Sequence, residues 1–404
     1  MNHAPMTVPA REPEPGDFRS LAPAIHRGST VVFGSMAEYG RRRDRFYDGY
    51  SYGLYGTPTS RELERRIAAL EGAARCYVVP SGMAAITLVT LACAAGGQVL
   101  FPDSVYDPVR TLATTLLAPC GIEARFYDPM IGGGIASLLT PATRLVWVES
   151  PGSVTMEVQD LPDIAAAAHR HGALVAADST WATPLRCRAL DHGADFAVNA
   201  VSKYLNGHSD VLMGAVSVRD EALYRRLRDV GRALGHGVSP EDCALVMRGL
   251  ETLELRLDRA EATALRLARW LAGRPEVETV LHPALQSCPG HMTWRRDFRG
   301  ASGVFSVVLA AWTRSRLPAV VEALRCFAIG ASWGATRSLV APIDPAPLRT
   351  AVPAPATGPI LRLSAGLEDP ALLEADLAQA FALFRPSQGT ADHASPPAVE
   401  ETVR

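Results

Sequence analysis

Several features that assign a protein to a special class are scarce or missing in this chain of 404 residues. Its seven cysteines are odd in number and scattered, and none forms a Cys-x-x-Cys pair, so neither a disulfide framework nor a zinc site is indicated. The formal net charge is −2, which gives no electrostatic basis for binding nucleic acid or a membrane surface. No apolar run reaches about 18 residues, so no transmembrane helix is expected.

The remaining composition is that of a globular domain. Hydrophobic residues make up 48% of the chain and charged residues 20%, and the length suffices for two domains. No apolar signal-peptide core precedes residue 18, and unpaired thiols fit a reducing cytoplasm. The polar, proline-rich ends, residues 1–17 and 386–404, are predicted to be disordered.

Strand-like and helix-like segments alternate between residues 60 and 200. The apolar runs CYVV, QVLF, ARFY, RLVWV, ALVAAD and DFAVNA predict strands, and MAAITLVTLACA and LPDIAAAAHRHG predict helices between them. Thr59 and Glu62 have the spacing of a capping box at the start of another helix. Because several strands are apolar on both faces, we expect an α/β fold with a mostly parallel sheet that is covered on both sides.

The pattern changes near residue 239. Ser239-Pro240 is a good helix start, and a long helical stretch is predicted to run to about Gly273. Strands such as GVFSVVL and ILRLSAGL follow, mixed with helices, and predict a smaller α+β domain. The predicted division is an N-terminal arm at 1–60, a large domain at 61–245, a small C-terminal domain at 246–385 and a tail at 386–404.

Lys203 follows the predicted strand DFAVNA, at the edge of the sheet where open α/β folds bind ligands. A lysine desolvated there has a lowered pKa and becomes a usable amine nucleophile. Most lysines are surface charges, so position alone favours an ordinary strand-end residue.

Three further signals fall at the ends of other strands in the same predicted sheet. Asp178 ends ALVAAD, and pyridoxal phosphate (PLP) needs a carboxylate at its pyridine nitrogen. Ser81-Gly82-Met83 opens a helix, whose N-terminal N–H groups suit a phosphate. Tyr106 follows QVLF and could stack on the pyridine ring. Each signal alone is equally compatible with a cap, a turn or a core residue, but together they predict a PLP site.

Longer motifs resemble those of the cysteine and methionine metabolism family of PLP-dependent enzymes, and within it the bacterial cystathionine β-lyases. The resemblance runs from about Pro23 to Phe384. The motifs that carry it are YGLYGTPT (52–59), PSGMAA (80–85), ESPGSVTMEVQD (149–160), ADSTWATPL (177–185), SKYLNGHSD (202–210), SWG (332–334) and LRLSAGLED (361–369).

The resemblance implies a fold type I, aspartate aminotransferase-like PLP enzyme whose large domain, 61–245, binds the cofactor. Lys203 matches the Schiff-base lysine, Asp178 the partner of the pyridine nitrogen and Tyr106 the stacking tyrosine. Phosphate ligands are implied at Gly82, Met83 and Ser202. Tyr52 matches a tyrosine that reaches the phosphate of a neighbouring subunit and is also expected to contact the substrate. A cytoplasmic homotetramer, a dimer of dimers with shared active sites, is therefore expected.

On the substrate side, the resemblance implies that Arg362 binds the α-carboxylate, a role that suits its planar, two-pronged donor geometry. Ser332 and Trp333 match the wall of the substrate pocket in β-lyases. The expected activity is β-elimination of cystathionine or a related sulfur amino acid, which yields a thiol, pyruvate and ammonia. No metal is expected, since the chain has no HExxH or paired-cysteine motif.

Four positions depart from the family pattern. Leu54 replaces an arginine, so PLP is either held less tightly or contacted by Arg61 or another cation. Ser179 stands where asparagine is common, and Ser202 where threonine is common. Arg337 replaces a glutamate and reverses a charge near the substrate entrance. These departures leave the PLP chemistry in place but point to a substrate other than cystathionine itself.

Some of these motifs are also compatible with other functions. γ-Elimination or γ-replacement, as in cystathionine γ-synthases and γ-lyases, remains open within the same family. Gly330-Ala-Ser332-Trp-Gly334 fits the serine-hydrolase pattern, but the only histidine downstream is His393, in the C-terminal tail. The glycines at 132–134 lack dinucleotide-binding spacing, and His208 is interpreted as a structural hydrogen-bonding residue.

Overall fold

The computed structural model describes residues 20–344, 347, 349–354 and 358–384, so the expectations for residues 1–17, for residues 386–404 and for His393 lie outside the described residues. Two sheets dominate the described part. The strands are β1 (Arg75–Val79), β2 (Gln98–Pro102), β3 (Glu123–Tyr127), β4 (Thr143–Glu149), β5 (Leu174–Asp178), β6 (Phe196–Asn199), β7 (Gly214–Val218), β8 (Val277–Leu281), β9 (Val304–Leu309), β10 (Ala328–Ile329), β11 (Leu339–Ile343) and β12 (Ile360–Ser364).

The first sheet has seven strands in the order β1-β7-β6-β5-β4-β2-β3. Strands β3, β2, β4, β5 and β6 run parallel to one another, whereas β7 is antiparallel to both of its neighbours. The mostly parallel sheet is thus confirmed. Strand β7 was not predicted, because Gly214 and Ser217 weaken the apolar signal of the segment GAVSV.

Helices cover both faces of this sheet and continue into the second half of the chain. They are α1 (Met36–Gly40), α2 (Pro58–Glu71), α3 (Gly82–Ala94), α4 (Pro108–Leu112), α5 (Leu161–Arg170), α6 (Thr183–Arg186), α7 (Glu221–Ala233), α8 (Pro240–Leu250), α9 (Leu253–Ala272), α10 (His291–Asp297), α11 (Leu317–Glu322) and α12 (Pro370–Phe381).

The capping box of α2 begins two residues earlier than the sequence indicated. The N-cap is Thr57, whose hydroxyl accepts from the N–H of Ser60, while the Ser60 hydroxyl accepts from the N–H of Thr57. Thr59 instead donates to the carbonyl of Ala24 in the N-terminal arm. The prediction of a Thr59–Glu62 box was therefore wrong, because Pro58 fits the first helical turn and sets the start before it.

The helix start at Ser239 is confirmed, since its hydroxyl accepts from the N–H of Asp242. The predicted continuous stretch to Gly273 is in fact two helices, α8 and α9, with a break at residues 251–252. Buried Arg256 donates to the carbonyl of Gly249 next to the break and to that of Tyr204. The break therefore lets α9 leave the large sheet and pack on the second sheet.

The second sheet has five strands in the order β10-β11-β12-β9-β8 and lies in the C-terminal half. Its buried face, with Phe305, Leu361 and Leu363, packs with residues of α9 and α12 into one apolar cluster. Among the described residues, no helix is long and apolar enough to cross a membrane. The fold thus places a large, mostly parallel sheet and a smaller, mostly antiparallel sheet on one chain, as the change of pattern near residue 239 indicated.

Candidate active site

Four of the predicted site residues lie on one edge of the large sheet. Strands β2, β4, β5 and β6 are parallel, so their carboxyl ends share that edge. Tyr106, Asp178 and Lys203 follow or end three of these strands, and β1, which points the same way as β6, leads there into Gly82. We call this the cofactor edge.

Lys203 is largely buried at the cofactor edge and reaches toward the second sheet. Its Nζ donates to the hydroxyl of Ser332 at 2.6 Å and lies 5.4 Å from the ring centroid of Trp333. Burial and the nearby Arg362 guanidinium lower the pKa of Lys203 to about 8, while Asp178 acts in the opposite direction. A substantial fraction of this amine is therefore neutral, and nucleophilic, near physiological pH.

Asp178 is a buried carboxylate at the end of β5, with one oxygen accepting from the N–H of Thr180 at 2.9 Å. It sits in register with Glu149 at the end of β4. Burial raises the pKa of both carboxyl groups, and the proximity of Asp178 raises that of Glu149 further. Two adjacent buried carboxylates call for a cationic partner, and a protonated pyridine nitrogen would supply one.

The start of α3 provides a cradle for an anion. Ser81 caps the helix by accepting from the N–H of Ala84 at 3.0 Å, while the N–H groups of Gly82 and Met83 precede the first intrahelical bond. A Cβ on Gly82 would lie 2.8 Å from the Cβ of Ala200, so this close approach to the Lys203 loop requires glycine. Lys203, Asp178 and this helix start together fit PLP.

Ser202 is held by the backbone of Met213. Its hydroxyl accepts from the Met213 N–H at 2.9 Å and lies 3.1 Å from the Met213 carbonyl. The single hydroxyl hydrogen is therefore directed at a backbone oxygen. Ser202 can donate to a phosphate only if this hydroxyl rotates.

Tyr106 stands at the open side of the cofactor edge with 47% of its surface exposed. Its backbone N–H donates to Glu149 at 2.8 Å, and Glu149 also accepts from the Ser153 hydroxyl at 2.6 Å. Burial and Glu149 raise the pKa of the Tyr106 hydroxyl, while Arg362 acts to lower it. Glu149 was not identified from the sequence, although a carboxylate at the end of an apolar strand beside Asp178 was a usable signal.

The second sheet contributes the opposite wall, which we call the substrate wall and define as Ser332, Trp333 and Arg362. Arg362 lies on β12, and its Nη2 donates to the Ala331 carbonyl at 2.9 Å. Trp333 packs on the ring of Tyr204, with centroids 5.6 Å apart. Three of the four predicted substrate residues thus face Lys203 across the gap between the sheets, and the fourth, Tyr52, does not.

Tyr52 and Leu54 lie on the N-terminal arm rather than at the cofactor edge. Tyr52 is 47% exposed and contacts the ring of Tyr55 edge-on. Arg61 is the predicted substitute for the missing arginine. Its guanidinium already donates within this chain to Glu64 and Tyr224, each at 3.0 Å, and to the Tyr55 carbonyl. The proposed compensation by Arg61 therefore has no structural support.

The same geometry bears on the serine-hydrolase, dinucleotide-binding and His208 interpretations. Ser332 belongs to a loop between two strands and accepts from a lysine, so it is not on the strand–turn–helix of a serine hydrolase. The glycines at 132–134 lie in a short 3-10 helix. His208 forms a hydrogen bond of 2.7 Å with the Asn206 carbonyl, as a structural residue does.

Arg337, which reverses a charge of the family pattern, has a side chain that is 85% exposed and lies 3.8 Å from Glu368.

A lysine amine and a buried carboxylate on neighbouring strand ends, beside an anion-binding helix start, define a PLP-dependent enzyme of fold type I. The chain belongs to the family described as "Cys/Met metabolism PLP-dependent enzyme", whose sequence model matches residues 5–382. PLP is accordingly its cofactor.

Individual relatives cover nearly the whole chain. A putative cystathionine beta-lyase of Rhizobium johnstonii is 45% identical over 91% of this chain and 93% of its own length. Cystathionine beta-lyase MetC of Escherichia coli is 37% identical over 89% of this chain and 92% of its own length. Among solved structures, cystathionine gamma synthase from Xanthomonas oryzae, in complex with aminoacrylate and cysteine, matches with a TM-score of 0.83 and 31% identity, covering 90% of this chain and 94% of that one.

Proposed function

We propose that this enzyme is a carbon–sulfur lyase that cleaves a sulfur amino acid by β-elimination and gives a thiol, pyruvate and ammonia. The observation that carries this proposal is the bond of 2.6 Å between Lys203 Nζ and Ser332 Oγ, with Trp333 beside the same amine. These two residues match the β-lyase pattern, and they close the substrate side of the lysine. Relatives named as cystathionine β-lyases support the same activity.

Lys203 has two tasks in this reaction. Its Nζ would hold PLP, and with substrate bound the same nitrogen would take the proton from the substrate Cα. PLP, when bound, withdraws electrons from Cα and makes that proton acidic. Asp178 would hold the pyridine nitrogen and favour its protonated form, a role that suits its position beside Glu149.

Arg362 binds the substrate α-carboxylate and so fixes which Cα bond faces Lys203. Its Nη2 is occupied by the Ala331 carbonyl, which holds the guanidinium in place and leaves its other nitrogen atoms for the carboxylate. Tyr106 would cover the open side of the cofactor ring, and the Ser332 hydroxyl accepts from the Lys203 amine in the structure.

The phosphate group is proposed to sit at the start of α3, against the N–H groups of Gly82 and Met83. Ser202 adds a donor if its hydroxyl turns from Met213. Tyr52 of a neighbouring subunit reaches the same phosphate. Leu54 offers no donor there, so the cofactor is held less tightly than in relatives with arginine at that position.

A second candidate is γ-elimination or γ-replacement. It is favoured by the close structural match to a cystathionine γ-synthase. Both chemistries begin with removal of the Cα proton by Lys203, so the cofactor edge does not separate them. γ-Chemistry also requires a proton to be moved at Cβ and gives a different keto acid, so the product distinguishes the two reactions.

A substrate panel with keto-acid identification tests the proposal. Cystathionine, cystine, S-alkyl cysteines and O-acetylhomoserine are supplied to the purified enzyme, and pyruvate and 2-oxobutyrate are separated and quantified. β-Elimination predicts pyruvate from the cysteine derivatives. Predominant 2-oxobutyrate, or turnover of O-acetylhomoserine alone, would establish the γ-reaction instead.

We further propose a homotetramer built from dimers that share active sites, in the cytoplasm, where seven free thiols stay reduced. The N-terminal arm supports this assembly, since Leu21, Val32 and Met36 are 100%, 87% and 81% exposed in one chain. Coexpression of two inactive chains, Lys203→Ala and Tyr52→Ala, tests the sharing. Mixed dimers would regain activity, because one site would contain both intact residues; no recovery would contradict shared sites.

A further inference from the structure

Asp103, at the end of β2, binds a segment from the other half of the chain. Its side chain is fully buried and accepts from the N–H groups of Thr350, Ala351 and Val352 at 2.9–3.1 Å. Arg110 completes the set with a contact of 2.6 Å to the same carboxylate. Although burial acts to raise it, these donors hold the pKa of Asp103 below its usual value, so the group stays ionised.

The residue before this segment makes a second buried ion pair. Arg349 lies 2.7 Å from the Glu157 carboxylate and also donates to the Thr155 hydroxyl. The side chains of Arg349 and Glu157 are only 4% and 5% exposed. A buried ion pair gains little net stability after its desolvation cost, but it fixes one arrangement, because a mispaired charge there is very unfavourable.

Residues 349–352 belong to the connection between β11 and β12, and β12 carries Arg362. Asp103 lies three residues before Tyr106 on the other side of the gap. The segment therefore ties the strand that holds Arg362 to the loop that holds Tyr106.

The turn at residues 152–157 extends the same network toward the cofactor edge. The N–H of Ser153 donates to the Ser104 carbonyl at 2.8 Å, and the Ser153 hydroxyl binds Glu149, which holds the Tyr106 N–H. Within the turn, Val154 has φ 69°, an unfavourable backbone for a β-branched residue that persists only where its surroundings hold it.

We propose that Asp103 and Glu157 are positioning residues: by anchoring residues 349–352 they set the spacing between Tyr106 and Arg362, and hence the affinity for the substrate amino acid. The inference rests on the proposed roles of Tyr106 and Arg362 in substrate binding. It does not depend on which bond of the substrate is cleaved.

The isosteric variants Asp103→Asn and Glu157→Gln test this proposal. Both oxygens of Asp103 accept from N–H donors, so an amide in either orientation turns an NH₂ group toward a donor. Arg266→Gln is the matched control, since it removes an exposed pair with Glu374. All variants are studied as holoenzymes, and two independent anchors keep the test informative if one variant fails to fold.

Two measurements separate anchoring from catalysis. Trypsin cleavage after Arg349, followed by mass spectrometry, is expected to be at least about tenfold faster in both variants than in the wild type and the control. Spectral titration with glycine, which has no β-substituent, is expected to show an apparent Kd about tenfold higher, with unchanged cofactor content.

Unchanged cleavage in both variants would overturn the anchoring. Faster cleavage with unchanged glycine affinity would overturn the positioning role. Because neither measurement needs elimination, a failure of the lyase assignment in the substrate panel remains distinguishable from a failure of this inference.

Discussion

The cofactor edge and the substrate wall are built in different ways. Tyr106, Asp178 and Lys203 end or follow strands of one parallel sheet, so the topology alone brings them together. Ser332 and Arg362 come from a loop and a strand of another sheet, and they meet Lys203 only because the two sheets face each other. The residues proposed for the cofactor chemistry thus lie on one sheet, whereas the residues proposed for substrate binding depend on the contact between two sheets.

The departures from the family pattern follow the same division. Ser179 and Ser202 at the cofactor edge are small, conservative changes in buried or half-buried positions. Leu54 lies on the arm, and Arg337 is on the exposed rim of the second sheet. We therefore expect the substitutions outside the cofactor edge to change how tightly ligands bind rather than which reaction is possible.

The largest effect is expected from Lys203→Ala. Without the amine there is neither a covalent link to PLP nor a base for the Cα proton, so turnover should fall by about 10³-fold or more. Pyruvate release from the preferred substrate measures this loss. Added methylamine restores part of the rate if the missing group is only an amine, and wild-type turnover in the variant would be incompatible with the assigned role.

The rate at which the apoprotein captures PLP should depend steeply on pH. The folded-state pKa of Lys203 is lowered to about 8, below its ordinary value, so the neutral nucleophile is depleted below pH 8 and complete above about pH 9. From pH 6 to pH 9 the capture rate should rise about a hundredfold and then level off. A midpoint near 10 in stopped-flow absorbance would show that the amine is not desolvated.

Replacement of Arg362 by glutamine should weaken the substrate wall alone. The lost charge-assisted contact is worth roughly 1.5–3 kcal/mol, which corresponds to a rise in KM of about 10–150-fold. Cofactor content and absorption should stay as in the wild type. A variant that lost PLP together with substrate affinity would show that the two regions are not separable.

Leu54→Arg should increase the affinity for PLP without changing the substrate wall. A charge-assisted donor to the phosphate is expected to lower the dissociation constant of PLP by about tenfold or more. Equilibrium dialysis of the apoprotein against PLP gives this constant, and Leu54→Gln is the matched control without charge. Equal affinities for all three proteins would refute the role assigned to position 54.

The smallest effect is expected at Arg337. The side chain is exposed and lies 3.8 Å from Glu368, so Arg337→Glu should change the free energy of unfolding by no more than about 0.5 kcal/mol. At low salt, KM for a cationic substrate that keeps its α-carboxylate, such as S-(2-aminoethyl)cysteine, should fall up to about threefold, and added salt should abolish the difference. An effect that survives high salt would indicate a direct contact instead.

Much of the cofactor edge could be predicted from the sequence. A short apolar run predicts a parallel strand. A polar residue at the carboxyl end of that strand, such as Asp178, indicates the edge of the sheet where ligands bind. Lys203 and Gly82 were found in this way. Glu149 was missed although it ends an apolar strand as Asp178 does, because only the order of the strands places the two carboxyl groups side by side.

The rest depends on contacts between distant residues. Asp103 and Arg349 are separated by more than two hundred positions, and no local period relates β2 to the β11–β12 connection. The true N-cap of α2, Thr57, was hidden by an equally good pattern two residues later. The engagement of Arg61 by Tyr224 also follows only from how α7 packs against α2.

The assignment of this chain as a PLP enzyme depends most directly on the side-chain nitrogen of Lys203. To test it, holoenzyme is reduced with borohydride, digested and mapped by mass spectrometry for the phosphopyridoxyl group. One modified peptide is expected, with the label on Lys203. A protein that binds no PLP, or that is labelled at another residue while Lys203 remains unmodified, would contradict it.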